Sequence, residues 1–448
     1  MSQQSQQEPT ISQPTTEQRR LEAVLDTQIA RITNRNAPIY SLPNEIITAI
    51  FNAGIPTSKK FPILVSHITH HLREVALSSP SLWKRIHISS PRSFDRVDAY
   101  VHRSKCCLLE IAVYAAKGRF KFNLPQSLLS HITRWRYFQI ISPHRSHTGF
   151  REVLEQLSGV SAPHLEKIFI KCQPVGDIPH LFAGGAPMLS KVTLRGIPIS
   201  PNLLPLMAIT SLEIMQHSFL NYRQLCQFLL AAPLLMDLTI WQQTTMWGDR
   251  SFDNTCMNAS LPSLLSLTIH IPYNNIGCLS GCLHGVCIML RMPVLRHLKL
   301  DSTPRHDLHP FAALCSRDSP YPALKTLEIS GISAEALRDL SHGLPSVTNI
   351  TIHLEDEEAC IKLEILCDDE AWLHLDTLTI QNYREPSEKL MSTIHVIASR
   401  TSIHRLCLRA FEHGHNVAVV NEIQCSVATG TRGGRIRDGS RHRYDYEY

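Results

Sequence analysis

The sequence has no long apolar run and little excess charge of either sign. Its longest uncharged apolar stretch, residues 276–290, is 15 residues long and is interrupted by His284 and three glycines. A helix that crosses a bilayer needs about 20 apolar residues, so no membrane partner is expected. The 44 Lys and Arg against 39 Asp and Glu leave a net charge of +5. A field that weak points away from nucleic acid and from membrane surfaces. No Gly-rich phosphate loop, no Gly-x-Ser-x-Gly elbow and no His-Glu-x-x-His helix occurs, which removes the common signatures of nucleotide, serine-hydrolase and zinc-protease chemistry. The Gln- and Ser-rich N-terminus lacks the basic-then-apolar pattern of a secretory leader. The 13 cysteines are odd in number and follow no disulfide framework. Reduced thiols in a protein of the cytoplasm or nucleus are the expectation.

One cysteine cluster needs weighing. Cys278-x-x-x-Cys282-x-His284-x-x-Cys287 puts four potential zinc ligands within ten residues, and an enzyme hidden in this chain would need a metal there. Zinc modules separate two ligand pairs by a longer loop. The run also falls where a buried helix is expected, and cysteine packs well as a small apolar side chain. No metal, no cofactor and no catalytic residue is expected.

Apolar residues make up 43% of the 448, enough for a folded protein. Residues 1–16 are polar, low in complexity and read as disordered. Residues 17–38 hold an amphipathic helix, with Leu21, Val24, Leu25, Ile29 and Ile32 at helical spacing. Residues 39–90 form a distinct segment. In Ser41-Leu42-Pro43-Asn44-Glu45-Ile46-Ile47-Thr48-Ala49-Ile50-Phe51, proline stands near a helix start and an acid in its first turn. Ile46, Ile47, Ile50 and Phe51 are read as one apolar face. A turn over 54–60 leads to a second helix over 65–76, and Pro80-Ser81-Leu82-Trp83 closes the unit, with Trp83 read as core.

Leu42-Pro43-x-Glu45-Ile46-x-x-x-Ile50-Phe51, with Pro80-x-Leu82-Trp83 after it, resembles the F-box in its fungal form. The segment departs from that family at Val65-Ser66-His67-Ile68, where Val-Cys-x-x-Trp is usual. The resemblance implies that Leu42, Pro43, Glu45, Ile46, Ile50 and Phe51 contact a Skp-type adaptor and through it a cullin–RING ubiquitin ligase. The residues read by themselves also allow them to cap the domain that follows.

Residues 91–411 repeat one phrase, Pro-x-Leu-x-x-Leu-x-Leu. It runs Pro163 to Ile170, Pro187 to Leu194, Pro233 to Ile240, Pro262 to Ile269, Pro293 to Leu300, Pro322 to Ile329 and Pro345 to Ile352, with weaker copies ending at Ile214, Ile380 and Leu408. Alternating Leu-x-Leu predicts a short strand with two side chains inward and one outward. Proline before it occupies a place where no ladder N–H is required. Helical stretches at 222–232, 334–342 and 388–399 lie between copies. Such units bury a core only by stacking. The phrase resembles leucine-rich repeats, although the usual Asn or Cys is replaced by Gln173, Ile197, Gln243, Pro272, Thr303, Ile332 and Glu355. The expected fold class is therefore α/β: an all-α F-box helix cluster, then an irregular leucine-rich-repeat-like β/α solenoid. Residues 412–448 are read as a C-terminal extension, basic and disordered at its end.

In such a solenoid, the outward strand positions bind a partner. The candidates are Lys167, Phe169, Lys171, Lys191, Arg195, Trp241, His270 and Lys299, with Phe169 and Trp241 as aromatic anchors. The resemblance implies a non-enzymatic substrate receptor of a Skp–cullin–F-box ligase, holding a protein whose identity the residues do not encode. A ligase-independent scaffold is the alternative.

Overall fold

A computed structural model describes residues 15–35, 37–114, 123–142, 148–172, 178–216, 222–242, 259–270, 286–287, 290–301, 311–316, 321–330, 334–354, 372, 374–382, 392–393, 396–397, 403, 405–411 and 418–424. The chain divides into two compact units, Met1–His87 with Asp95–Cys107, and Ile88–Phe94 with Leu108–Tyr448. The first unit thus reaches past the boundary expected at residue 90. Among the described residues no helix is long and apolar enough to cross a membrane.

The first unit is helical. Helix α1 (Thr16–Arg35) opens on a reciprocal cap, in which Gln18 N–H donates to Thr15 Oγ1 at 3.3 Å and Thr15 N–H to Gln18 Oε1 at 2.9 Å. Helix α2 (Asn44–Gly54) starts after Pro43, whose carbonyl accepts from Ile46 and Ile47 at 3.0 and 3.1 Å. The single helix expected over 65–76 is in fact two, α3 (Phe61–Ser66) and α4 (His70–Ser78). The break has a local cause. Thr69 is extended, at φ −148° and ψ 165°, and its Oγ1 accepts from Leu72 N–H at 3.3 Å, so it caps a new helix instead of continuing the old one.

Helix α5 (Phe94–Arg103) belongs to this unit apart from its first residue and buries Val97, Tyr100 and Val101. Trp83 sits in the core as read, fully buried. Its Nε1 donates to Ala76 O at 2.8 Å, its ring meets Tyr100 edge-on at 5.0 Å, and the Arg103 guanidinium lies 4.5 Å from its centroid. The four apolar residues of α2 do not share one face. Ile47 and Phe51 are buried while Ile46 and Ile50 are exposed. Each pair is spaced by four, and the two pairs are offset by one residue, about 100° around the helix.

In the second unit every repeated phrase becomes a strand. Strand β1 (Arg85–Ile88) lies at the unit boundary, and β2 (Leu109–Tyr114) and β3 (Trp135–Ile141) precede the phrases. The phrases give β4 (Lys167–Lys171), β5 (Lys191–Arg195), β6 (Ser211–Gln216), β7 (Asp237–Gln242), β9 (Ser266–His270), β11 (His297–Asp301), β12 (Thr326–Ser330), β13 (Asn349–Leu354), β14 (Thr377–Asn382) and β15 (Arg405–Phe411). They pair in parallel from β2 to β15 in sequence order. The short β8 (Ala259–Ser260) and β10 (Leu290–Arg291) pair separately. The result is a mixed α/β unit built on a large parallel sheet.

The register keeps like positions of the phrase side by side. One apolar row runs from Ile168 through Val192, Leu212 and Leu238 to Leu406, and a second from Ile170 through Leu194 to Ile380; no described member is more than 2% exposed. The first Leu of the phrase forms a third buried row, including Leu165, Leu189, Leu235, Leu264, Leu295 and Leu324. Proline has a more specific role than keeping off the ladder. Leu165 N–H donates to Ala162 O at 3.1 Å, and Leu189, Leu235 and Leu295 bond likewise to Ala186, Ala232 and Met292. Pro163 and its equivalents therefore occupy the second place of a tight turn, where a fixed φ is favoured. Just after each turn one carbonyl accepts two N–H groups from the next copy, as Thr210 O does from Met236 and Asp237 at 2.8 and 2.9 Å. That backbone ladder links successive turns where no Asn ladder exists.

Helices Thr148–Gln156, Tyr222–Leu230 and Ala334–Gly343 lie between strands and bury Val153, Leu225, Phe228, Leu337 and Leu340. One finding departs from the expected C-terminal extension. Residues Ala418–Gln424 form β16, antiparallel to β15, so the sheet gains a strand inside 412–448. The helix expected over 388–399 lies mostly outside the described residues.

Candidate partner-binding faces

Helix α2 divides the six adaptor candidates. Pro43 and Glu45 are exposed, Ile46 and Ile50 are 48% and 46% exposed, and Leu42 is half-buried. Phe51 is the exception: it is buried and packs edge-on against Phe61, ring centroids 6.4 Å apart. It anchors α2 to the unit and leaves the outer face to the others. Leu64 and Ile68 in the same unit are also exposed, 56% and 62%. The sequence placed Ile68 inside the helix expected over 65–76 and missed its exposure, because that helix was run through the break at Thr69; Leu64 lay outside the expected helix.

The eight partner candidates all stand at outward positions of the sheet, in two groups. On adjacent strands β4 and β5, Lys167 is opposite Lys191, Phe169 opposite Thr193 and Lys171 opposite Arg195. Lys167, Lys171 and Lys191 are exposed, whereas Phe169 and Arg195 are half-buried. The Arg195 guanidinium lies 5.4 Å from the centre of the Phe169 ring and bonds Glu213 Oε1 through Nη2 at 2.7 Å. Thr193 Oγ1 donates to Glu213 Oε2 at 3.4 Å. Glu213, the middle residue of the weaker phrase ending at Ile214, was not among the candidates.

The second group crosses β7 to β13. Trp241 and His270 stack with centroids 3.6 Å apart and planes at 10°. His270 Nδ1 donates to Asp301 Oδ2 at 2.7 Å, and Ser330 Oγ donates to Asp301 Oδ1 at 3.3 Å. The bond from His270 is the main force holding the Asp301 carboxyl below the usual range; burial opposes it, and the charges of His270 and Lys299 assist. Next to it, Glu328 accepts from Lys299 Nζ and from His353 Nε2, the latter at 2.8 Å. Burial pushes Glu328 up, but those two bonds and their charges outweigh it and the net shift is downward. Both carboxylates therefore stay ionised at neutral pH.

These faces contain ion pairs, stacked rings and a few exposed cations. Among the described residues no three His, Cys, Asp or Glu side chains gather as metal ligands. Of the Cys278 cluster, Cys287 is buried and desolvation pushes its thiol up to about 12, in keeping with cysteine as an apolar filler. Cys278, Cys282 and His284 lie outside the described residues. In comparison with known proteins, no family model and no curated protein matches this chain.

Proposed function

We propose that this chain is the substrate-recognition subunit of a Skp–cullin–F-box type ubiquitin ligase, acting in the cytoplasm or nucleus. In this reading the first unit is an F-box-like helix cluster whose α2 docks a Skp-type adaptor. The second is a leucine-rich-repeat-like array whose outward strand positions hold a target protein, and the chain itself does no chemistry. One observation carries the reading: Ile46 and Ile50 lie exposed beside Pro43 while Ile47 and Phe51 fasten the same helix to its core. The unit spends two of its four large α2 residues on folding and leaves two for something else. Exposed apolar side chains gathered with polar neighbours are the usual mark of a protein contact.

A pull-down with purified Skp-type adaptor tests this. Ile46→Asp with Ile50→Asp should cut binding by more than tenfold and change the thermal midpoint little, because about half of each residue is already open to solvent. Wild-type protein that fails to bind the adaptor overturns the ligase reading. The alternative is then a ligase-independent scaffold using the same sheet face, and the family departure at Val65–Ile68, where α3 ends, is the feature that favours it.

A further inference from the structure

Across the outward positions of the second unit, Arg195 is held by Glu213 and Lys299 by Glu328. Three lysines on β4 and β5 differ. Lys167, Lys171 and Lys191 are exposed, and among the described residues their ammonium groups make no ion pair or hydrogen bond. Lys167 stands directly opposite Lys191 in the parallel register, and like charges so placed repel. The flanking strands bring no relief, because Tyr137 lies beside Lys167 on β3 and Ser211 beside Lys191 on β6. Glu166 and Glu213 are each bonded to an arginine. Asp237 lies two strands from Lys191 in the same row, about 10 Å across the sheet. The two strands thus hold a basic strip whose counter-charge the described residues do not supply.

We infer that β4 and β5 bind an acidic, extended segment of a partner protein, with carboxylates four residues apart and an apolar side chain midway. This rests on the reading that outward strand positions hold a target, and not on adaptor docking. An extended chain rises about 3.3 Å per residue and turns alternate side chains to one face. Its residues i, i+2 and i+4 therefore fall in step with Lys167, Phe169 and Lys171, over about 13 Å. Lys191 adds a second ammonium at one end, and the half-buried Phe169 ring offers the apolar contact between the charges. A segment laid across the strands would run from Lys167 and Lys191 onto Asp237, so the long axis follows β4. Carboxylates suit this strip better than phosphate. Phosphate is gripped best by the arginine fork, and the one arginine on these strands is already bonded to Glu213. A nucleic-acid face commonly neutralises about 6–10 phosphates, which three lysines bounded by Glu213 and Asp237 do not match. Exposed ion pairs are individually weak, so one such segment binds modestly, with Kd on the order of 100 micromolar.

Fluorescence anisotropy of the full chain with a labelled peptide tests this. The probe holds Glu-Ser-Leu-Ser-Glu between Gly/Ser flanks. Its controls carry Gln for both Glu, the two Glu side by side, or phosphoserine for both Glu, and a short single-stranded RNA is the last. At low salt the probe should bind, and the Gln peptide should bind at least about fivefold more weakly. Lys167→Glu with Lys191→Glu should weaken the probe about tenfold, and Phe169→Ala about threefold. Lys167→Glu alone should weaken it too, while raising the thermal midpoint by about 1 °C as a like pair becomes an opposite one. Its loss of binding is then not a loss of fold. Absence of probe binding overturns the inference, as does binding indifferent to Lys167→Glu with Lys191→Glu. Equal affinity for adjacent Glu would mean that the strip reads net charge without spacing, and overturns it. Phosphoserine peptide or RNA that binds tenfold tighter than the probe assigns the strip to that ligand instead. An adaptor pull-down with Lys167→Glu and Lys191→Glu separates this from the ligase reading. Adaptor capture without peptide binding strikes only the acidic segment, and peptide binding without adaptor capture strikes only the ligase.

Discussion

The His270 imidazole lies flat on the Trp241 indole at 3.6 Å and donates from Nδ1 to Asp301 at 2.7 Å. Trp241, His270 and Asp301 stand on three strands that follow one another in the sheet, at the same place of the repeated phrase. The stack fixes the ring plane, and the plane aims Nδ1 at the carboxylate. The three side chains therefore form a preset row, not separate groups.

That row gives a pH signature. The folded Asp301 carboxyl is held below its ordinary value of 3.8, chiefly by the bond from His270. A lowered carboxylate stabilises the folded state above its unfolded value and loses that contribution as pH falls through the folded one. Asp301→Asn should cost about 1–2 kcal/mol at pH 7, discounted because the side chain is 34% exposed. Urea unfolding at pH 7, 5 and 3 should show the gap between wild type and variant intact at the first two and narrowed at the third. A gap that stays constant to pH 3 means that the charge of Asp301 contributes nothing.

Trp83 organises the first unit through both its volume and its single donor. Trp83→Ala should cost about 3–5 kcal/mol by opening a cavity against Tyr100. Trp83→Phe keeps much of the volume but leaves the Ala76 carbonyl without the indole N–H, a loss of about 1–2 kcal/mol. Guanidinium titration followed by circular dichroism separates the two. Equal losses would mean that the hydrogen bond, not the packing, sets the cost.

Much of this architecture can be read from residues alone, because the repeated phrase has a period that only one geometry satisfies. Three buried positions and one tight turn recur in each copy, so the parallel sheet and the outward rows follow from spacing. What spacing cannot supply is which charge answers which. Arg195 meets Glu213 and Lys299 meets Glu328 across strands separated by 18 and 29 residues in sequence. Those partners become neighbours only once the register is set. The split of α2 into two faces was legible, since Ile46 and Ile47 differ by about 100°, but four adjacent apolar residues were merged into one. Strand β16 carries no copy of the phrase and runs antiparallel, so the repeat gives no warning of it. The helix break at Thr69 turns on one side chain bonding its own backbone, a choice that apolar periodicity does not register.

Two glycines offer a test of how closely the second unit is packed. Gly343 ends the helix Ala334–Gly343, and a Cβ built there would stand 2.4 Å from the Cys315 carbonyl carbon and 2.6 Å from the Ser316 nitrogen. Both obstacles are backbone, so relief requires moving a segment, not turning a side chain. Gly159 differs: a Cβ there meets nothing within 4 Å, but its φ of +73° is one that L side chains rarely adopt. Gly343→Ala should cost about 1–3 kcal/mol through overpacking, and Gly159→Ala about 1–2 kcal/mol through backbone strain alone. Asparagine tolerates positive φ, so Gly159→Asn should recover part of its loss, whereas Gly343→Asn should be worse than Gly343→Ala. Thermal midpoints of the four variants decide it. Recovery by asparagine at Gly343 would show that its helix end is not pressed against Cys315 and Ser316, and that the strain there is conformational.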